Sequence, residues 1–185
     1  MTTSTMPFEL GPMPTGLPMS TVDELLVRAP LHAIFALAAD VERWPAILPH
    51  YKYVRFTDRR SDGGGLVDMS AYRPFGIVRW PTWWRSQMQV HAPGGTHAPS
   101  IRYTHVAGVT RGMQVEWSFQ PVSGAEGGET QVRVVHLWDG PPVPMVGATA
   151  ATAVIGPVFV HGIASRTLAG LAARAEQGLL RVVPV

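Results

Sequence analysis

The sequence predicts an α+β fold in which a curved antiparallel sheet of about seven strands wraps around one long C-terminal helix. Six consecutive segments in the middle of the chain alternate apolar and polar residues, as half-buried strands do, and turn-forming residues separate them. One segment near the C terminus instead repeats its apolar residues at helical spacing. Because that helix is the largest element able to cover the apolar face of the sheet, we expect the two to enclose an internal hydrophobic cavity.

The elements before this run of strands are predicted as one strand and two short helices. Residues 22–28 form a short strand candidate. Pro30 suits the first turn of a helix, where its missing N–H costs nothing, and the apolar residues of 31–41 form one helical stripe. Prolines interrupt the segment 42–50, which predicts a second short helix or turn there.

The run of strands and the closing helix make up the rest of the domain. The strands are predicted over residues 51–58, 66–73, 77–91, 100–107, 113–120 and 130–138. The closing helix is predicted over residues 158–178. We therefore place a ligand-binding domain at residues 21–178, after a flexible N-terminal arm over residues 1–20 and before a C-terminal tail over residues 179–185.

Composition excludes several classes of function. The chain has no cysteine, which excludes disulfides, thiolate zinc sites and a cysteine nucleophile, and fits a cytoplasmic location. Its net charge is +2 without a basic run, so we expect no nucleic-acid partner. The uncharged run 140–165 is long enough to cross a membrane, but prolines interrupt it and Ala, Gly and Thr predominate, so we expect no transmembrane span. Cofactor motifs and metal-ligand spacing are also absent, and we expect neither a cofactor nor a metal.

Arg73 is the residue whose position most needs an explanation. Strict alternation in 66–73 places Arg73 on the same face as Val67, Met69 and Ala71, which is the apolar face. An unpaired guanidinium there is costly, so it would need a carboxylate or an oxygen-rich ligand as its partner. The alternative is that Arg73, which lies beside Pro74 at the end of a strand, simply reaches solvent. The pattern leaves both interpretations open.

The same alternation predicts a cavity wall of Met, Trp and other apolar residues with a few polar groups. His136 is the predicted proton donor or acceptor of the cavity, whereas His161, on the closing helix, is predicted to be a buried core histidine. The residues predicted to line the cavity are Met69, Trp80, Trp84, Met88, Tyr103, Trp117, Phe119, His136, Trp138, Phe159 and Ile163.

Residues 27–56, VRAPLHAIFALAADVERWPAILPHYKYVRF, resemble the opening of the helix-grip superfamily. This superfamily includes START-related lipid carriers, birch-pollen-allergen-like proteins and the polyketide cyclase/dehydrase group. The resemblance covers residues 22–177, and within the group it is strongest to the bacterial aromatase/cyclases of the tetracenomycin type. Tyr51 and the Y-R-P segment at 72–74 match that family's pocket tyrosine and pocket arginine, and Trp84 and Trp117 match aromatic positions of its wall.

The resemblance implies a helix-grip fold and an enzyme that cyclises and dehydrates a poly-β-ketone. It also implies catalytic roles for two residues: Arg73 as an electrostatic clamp on developing negative charge, and Tyr51 as a proton donor. The implied partners are a hydrophobic small molecule and, as further candidates, an acyl carrier protein or a second copy of the chain. Other members of the superfamily only carry lipids or quinones. A non-catalytic carrier of a lipid, quinone or aromatic product is therefore the alternative, and catalyst and carrier both stay open.

Overall fold

A computed structural model describes residues 9–75, 78–122, 128–141 and 160–180, of which residues 73–75, 78–80, 179 and 180 are described by their backbone alone. It confirms the predicted α+β fold, because seven antiparallel strands form one sheet and a long C-terminal helix closes it. The order of the strands in the sheet is β1-β7-β6-β5-β4-β3-β2, so β1 and β2 form its two edges. The strands are β1 Met19–Val27, β2 Tyr51–Arg59, β3 Gly65–Phe75, β4 Val78–His91, β5 Ser100–Gly108, β6 Gln114–Val122 and β7 Glu129–Trp138.

Two short helices and a 3-10 turn connect β1 to β2. Helix α1 spans Leu31–Ala39, the 3-10 turn spans Val41–Arg43, and helix α2 spans Trp44–Ile47. Pro30 is the residue before the first turn of α1 and has extended backbone angles, φ −65° and ψ 150°. The fixed φ of proline therefore starts the helix from just outside it.

The long helix α3 spans His161–Leu180 and packs against the concave face of the sheet. Its buried stripe includes Leu168, Leu171 and Ala175, as the helical spacing predicts. Phe35 of α1 contacts Phe119 of β6 edge to face, with ring centroids 5.1 Å apart. These contacts close one continuous hydrophobic core between the helices and the sheet.

The N-terminal segment differs from the predicted arm over residues 1–20. Residues 1–8 lie outside the described part, but β1 already begins at Met19 and the segment before it contacts strands β4 and β5. The Leu10 N–H donates to Oε1 of Gln89 at 3.0 Å, and Nη1 of Arg102 donates to the Gly11 carbonyl. Residues 9–18 therefore lie over the convex face of the sheet, where these two polar side chains are buried.

Most of the uncharged run 140–165, namely residues 142–159, is outside the described part of the chain. Among the helices that the structure describes, none combines the length and the hydrophobicity needed to cross a membrane.

Candidate functional site

A cavity lies between α3 and the concave face of the sheet, with α2 at one side. The space open to the centre of a water-sized sphere is about 80 Å³. A buried water needs only about 10–15 Å³ on that measure, so the cavity can hold several waters or part of an organic molecule. The predicted residues that lie in its wall are Tyr51, Met69, Trp84, Tyr103, Trp117, His136 and Ile163.

Three of the predicted lining residues lie in the core but not in this wall. Met88 is fully buried beside Tyr103, its partner in the β4–β5 register. Phe119 packs against Phe35, and the indole N–H of Trp138 donates to the Arg111 carbonyl at 2.9 Å. Their side chains are on the concave face, as those of the cavity wall are, but at positions along the strands that the cavity does not reach. Alternation predicts the face of a side chain and not whether the cavity extends to it.

Three further predicted residues cannot be placed by side chain. Phe159 lies outside the described residues, and Arg73 and Trp80 are described by their backbone alone. In the β3–β4 register Arg73 pairs with Trp80, and Met69 pairs with Trp84. The role of Arg73 therefore stays a prediction.

Several cavity residues were not among those predicted. A signal for some of them exists in the sequence: His105 lies two residues beyond Tyr103 on the same face of β5, and Thr167 lies one helical turn beyond Ile163. The residues of this group are Trp44, His105, Thr110, Met113, Val115, Val160, Ala164 and Thr167.

The Tyr51 hydroxyl belongs to a hydrogen-bonded group that reaches from β2 to α3. The Thr167 hydroxyl lies 2.8 Å from the Ile163 carbonyl, 3.3 Å from the Tyr51 hydroxyl and 2.9 Å from Nε2 of His50. Thr167 has one proton, which it donates either to the Ile163 carbonyl or to the Tyr51 hydroxyl, and it has lone pairs that can accept a proton from Nε2 of His50. Burial raises the pKa of Tyr51, while burial and the nearby Arg166 charge lower the pKa of His50 to about 4. At neutral pH both groups are uncharged.

His105 is held on two sides. Its Nδ1 lies 2.6 Å from the Thr110 hydroxyl, and its ring stacks on Trp84 with centroids 5.9 Å apart. Burial, and then the neighbouring His136, lower the pKa of His105 to about 3. The ring is therefore a neutral imidazole in the cavity wall.

Tyr103 and His136 carry polar atoms that find no partner within the described part of the chain. These atoms are the Tyr103 hydroxyl and Nδ1 of His136, and both are buried. Burial raises the pKa of Tyr103, and burial followed by the charge of His161 lowers the pKa of His136 to about 4. Buried polar atoms in native proteins nearly always have a partner, so these two mark positions where water or a ligand oxygen binds.

The prediction that His161 is a buried core histidine is wrong. His161 is the first residue of α3, its side chain is 55% exposed, and its Nδ1 lies 2.6 Å from Oδ1 of Asp23. Val160 and Ala164 on either side of it are buried, so the buried stripe passes beside His161 and not through it.

The described wall of the cavity is mostly apolar and carries no fixed charge. Within the described lining there is no Asp, Glu, Lys or Arg, and the polar groups are neutral donors and acceptors. Among the described residues, no three His, Asp or Glu side chains come together in a way that could hold a metal ion. Such a site suits an uncharged ligand that carries a few carbonyl or hydroxyl oxygens.

Comparison with known proteins gives one family and many similar folds. Residues 27–158 match the family model described as "Polyketide cyclase / dehydrase and lipid transport". No curated protein sequence matches the chain.

Solved structures of similar fold include both aromatase/cyclases and START proteins. The Zhui aromatase/cyclase from Streptomyces sp. R1128 is 16% identical with a TM-score of 0.66, and the match covers 87% of this chain and 95% of that one. A protein from Thermus thermophilus is 16% identical with a TM-score of 0.69, covering 86% and 99%. A START superfamily protein from Mycobacterium smegmatis is 17% identical with a TM-score of 0.62, covering 85% and 97%. At these identities the likeness establishes the fold.

Proposed function

The chain belongs to the polyketide cyclase/dehydrase and lipid transport family, and from this premise we propose that its cavity binds a hydrophobic, carbonyl-rich small molecule. We propose further that the protein promotes aldol cyclisation and dehydration of a poly-β-ketone. The observation that carries the proposal is the combination of a mostly apolar lining, uncharged among the described residues, with hydroxyl and imidazole groups that stay neutral at pH 7. Neutral donors can polarise ketone oxygens without the cost of burying a charge.

Tyr51 is the proposed proton donor. In the aldol step the enol carbon of one ketone attacks the carbonyl carbon of another, and the oxygen of the attacked carbonyl takes the Tyr51 proton as the new C–C bond forms. The enol O–H bond breaks as its own carbonyl re-forms, and the proton that it releases replaces the one that Tyr51 gave. Thr167 and His50 lie in line to return a proton to Tyr51, since each is within 3.3 Å of the next group. In the dehydration Tyr51 donates its proton to the new hydroxyl, which leaves as water, and the resulting tyrosinate takes the proton that the neighbouring carbon loses as the C=C bond forms. A fixed donor supplies the proton of the leaving group at little reorganisation cost.

Arg73 is the second proposed catalytic residue. The proposal rests on the alternation of 66–73 and on the place of the Y-R-P segment in the sequence. A guanidinium at the cavity would stabilise an enolate or alkoxide oxygen as negative charge develops there.

A non-catalytic carrier is the second candidate function. The described wall is mostly apolar, and an uncharged wall is sufficient to hold a lipid, a quinone or an aromatic product. The half of the family description that reads "lipid transport" fits this function equally well.

Product analysis with site variants tests the two candidates. A minimal polyketide synthase is run without addition, with the wild type, with Tyr51→Phe and with Arg73→Ala, and the products are separated by chromatography. The cyclase proposal expects the wild type to direct the chain to one ring pattern, and the rate of product formation with Tyr51→Phe to fall by about 10²–10⁴-fold, the usual range for one lost proton donor.

The control for Tyr51→Phe is Tyr53→Phe. Tyr53 lies outside the described cavity wall, with the Arg55 guanidinium 5.1 Å from its ring centre, so loss of its hydroxyl should leave the product profile unchanged. Identical profiles with and without the wild-type protein, across several chain lengths, would overturn the cyclase proposal and favour the carrier.

The partners and the location are proposals of the same kind. A cyclase of this type would receive its chain from an acyl carrier protein, and a second copy of the chain is the other candidate partner. The absence of cysteine agrees with a reducing cytoplasm, where we propose that the protein acts.

A further inference from the structure

A line of buried polar side chains runs from the cavity to the surface along the edge of the sheet. Thr21 of β1 is the register partner of His136 of β7, so the two side chains are neighbours on the concave face. Asp23 lies two residues further along β1 and therefore on the same face. Beyond Asp23 is His161, the first residue of α3.

The Asp23 carboxylate is the unusual member of this line. Its side chain is 4% exposed, Oδ1 lies 2.6 Å from Nδ1 of His161, and Oδ2 has no partner within the described part of the chain. Burial raises the pKa of this carboxyl group, and His161 opposes the rise. A buried carboxylate with one unpaired oxygen costs stability that an apolar residue at this position would not. Its presence calls for a reason other than packing.

Two more atoms in the line are buried without a partner among the described residues. They are the Thr21 hydroxyl and Nδ1 of His136. Together with Oδ2 of Asp23 they give three unpaired polar atoms on adjacent positions of one face. Such a group is the usual setting of internal water, which makes about three hydrogen bonds to buried polar atoms.

We propose that Asp23 and His161 form a proton route between bulk solvent and the His136 ring in the cavity wall. His161 is half exposed and takes a proton from water, and its Nδ1–H passes a proton to Oδ1 of Asp23. The carboxyl group then turns, which brings its O–H to the position of Oδ2, and gives the proton through a water at Thr21 to Nδ1 of His136. Each transfer breaks one N–H or O–H bond and forms another. The net result is one proton moved from solvent to His136, which replaces a proton that His136 gives to a ligand oxygen. The use of the route, though not its existence, rests on the proposed cyclase function.

A purely structural role for the pair makes a different prediction. A carboxylate beside the N terminus of a helix stabilises that helix, so Asp23 could act as an anchor for the start of α3. If Asp23 were only an anchor, its removal would lower stability, and in the wild type the His136 ring proton would exchange no faster than that of any other buried histidine. An anchor also does not explain why Oδ2 of Asp23 and the Thr21 hydroxyl are buried without partners among the described residues.

Exchange of the histidine ring N–H protons with water, measured by nitrogen-15 NMR, tests the route directly. His105 is the internal reference, because it is also buried in the cavity wall but is held by Thr110. In the wild type we expect the His136 ring proton to exchange about tenfold or more faster than that of His105, since exchange without a route requires local opening of the fold. Asp23→Asn and His161→Gln should each slow His136 by about tenfold and leave His105 unchanged.

Glu24→Gln is the matched control on the same strand. Glu24 forms an ion pair with Arg133 at 2.8 Å, and both side chains are half exposed, so this variant removes a neighbouring carboxylate that is not on the route. Thr21→Val tests the water position, and it also keeps the inference testable if Asp23→Asn does not fold. Thr21→Val should slow exchange at His136 as Asp23→Asn does.

The route is refuted if His136 exchanges no faster than His105 in the wild type, or if Thr21→Val and His161→Gln both leave His136 unchanged. Fast exchange broadens the ring N–H signal. If the His136 signal is too broad to observe in both the wild type and the variants, the variants have not slowed the exchange, and the route is refuted as well. These outcomes do not depend on product formation. If the variants slow exchange at His136 but the wild-type protein cyclises no polyketide, the proton route is supported and the cyclase function is rejected.

Discussion

The charge state of individual side chains decides what the cavity can do. His50, His105 and His136 are half-buried or buried, and in each the pKa is lowered below its ordinary value chiefly by burial. Desolvation disfavours the imidazolium form, so these rings are neutral over the physiological range. The same burial raises the pKa of Tyr51 and keeps its proton available for donation. Each of these residues therefore acts through hydrogen bonds and not through a fixed charge.

Neutral buried histidines make the folded protein sensitive to acid. The pKa of His105 is about 3 in the folded protein against an ordinary value of 6.5, so below pH 6.5 the unfolded chain binds a proton that the folded chain does not. The stability from this residue is complete above pH 6.5 and is lost as the pH falls from there toward 3. At pH 5 the loss is on the order of 2 kcal/mol.

His105→Asn tests this expectation. Asn can retain a hydrogen bond to Thr110 but has no group that titrates, so the loss of unfolding free energy between pH 7 and pH 5 should be smaller than in the wild type by on the order of 2 kcal/mol. Denaturant unfolding at the two pH values measures it. The exposed His32 provides the control, because His32→Asn removes no buried imidazole and should keep the wild-type loss. An equal loss in wild type and His105→Asn would contradict the argument.

At the scale of elements, alternation predicted the faces of the strands but not everything that is buried. Thr82, Trp84, Ser86 and Met88 of β4 are buried on the concave side, as predicted. Asp68 of β3 lies on the opposite face and is also buried, because Arg85 donates to both of its carboxylate oxygens at 2.5 and 2.9 Å. Partners that come from other strands are not visible in the periodicity of one strand.

The cavity wall shows the same limit. Side chains of Trp84 and Met88 share one face of β4, yet Trp84 lies in the wall and Met88 in the closed core. Which of them faces the cavity depends on the curvature of the sheet and on where α2 and α3 cross it. Those are properties of the assembled layers, so the sequence predicts the face and the structure supplies the position along it.

Helix α3 lies close to the segment after α2 at a glycine. A Cβ on Gly170 would lie 2.3 Å from Cδ2 of Leu48, well inside the ordinary contact distance of about 3.5–4.0 Å. Leu48 is 2% exposed and has little room to move. Gly170→Ala gains about 1 kcal/mol of helix propensity, but overpacking of about 1–3 kcal/mol opposes it. We therefore expect net destabilisation, measured by denaturant unfolding.

Gly178→Ala is the matched control in the same helix. Nothing lies within 4 Å of a Cβ at Gly178, so this change should leave stability unchanged or raise it by up to about 1 kcal/mol. Combining Gly170→Ala with Leu48→Ala removes the clash, and its cost should be less than the sum of the two single changes. Equal effects of Gly170→Ala and Gly178→Ala would contradict the close approach.

At the scale of the whole molecule, residues 9–18, directly before β1, belong to the folded unit. Its Pro, Gly, Ser and Thr content is typical of a loose arm, and no local pattern distinguishes it from one. What orders residues 9–18 is long-range: Leu10 and Gly11 bond to Gln89 and Arg102 on the convex face of the sheet. The sequence could not predict these hydrogen bonds, because the partners are about 80 to 90 residues apart and no local pattern at Leu10 or Gly11 identifies Gln89 or Arg102 as its partner.

Removing this segment should destabilise the whole domain. Deletion of residues 1–17 leaves β1 intact but uncovers Gln89 and Arg102, whose side chains are buried in the full chain, and leaves two hydrogen bonds unmade. At about 0.5–1.5 kcal/mol for each bond, the loss is roughly 1–3 kcal/mol. A protein of this size loses about 2–4 °C in Tm for each kcal/mol, so calorimetry should show a fall of several degrees. Deletion of residues 1–8 is the control, since it removes neither bond. A Tm that is the same in the two deletions would mean that the contacts of Leu10 and Gly11 contribute no stability, and that β1 alone sets the N-terminal limit of the cooperative unit.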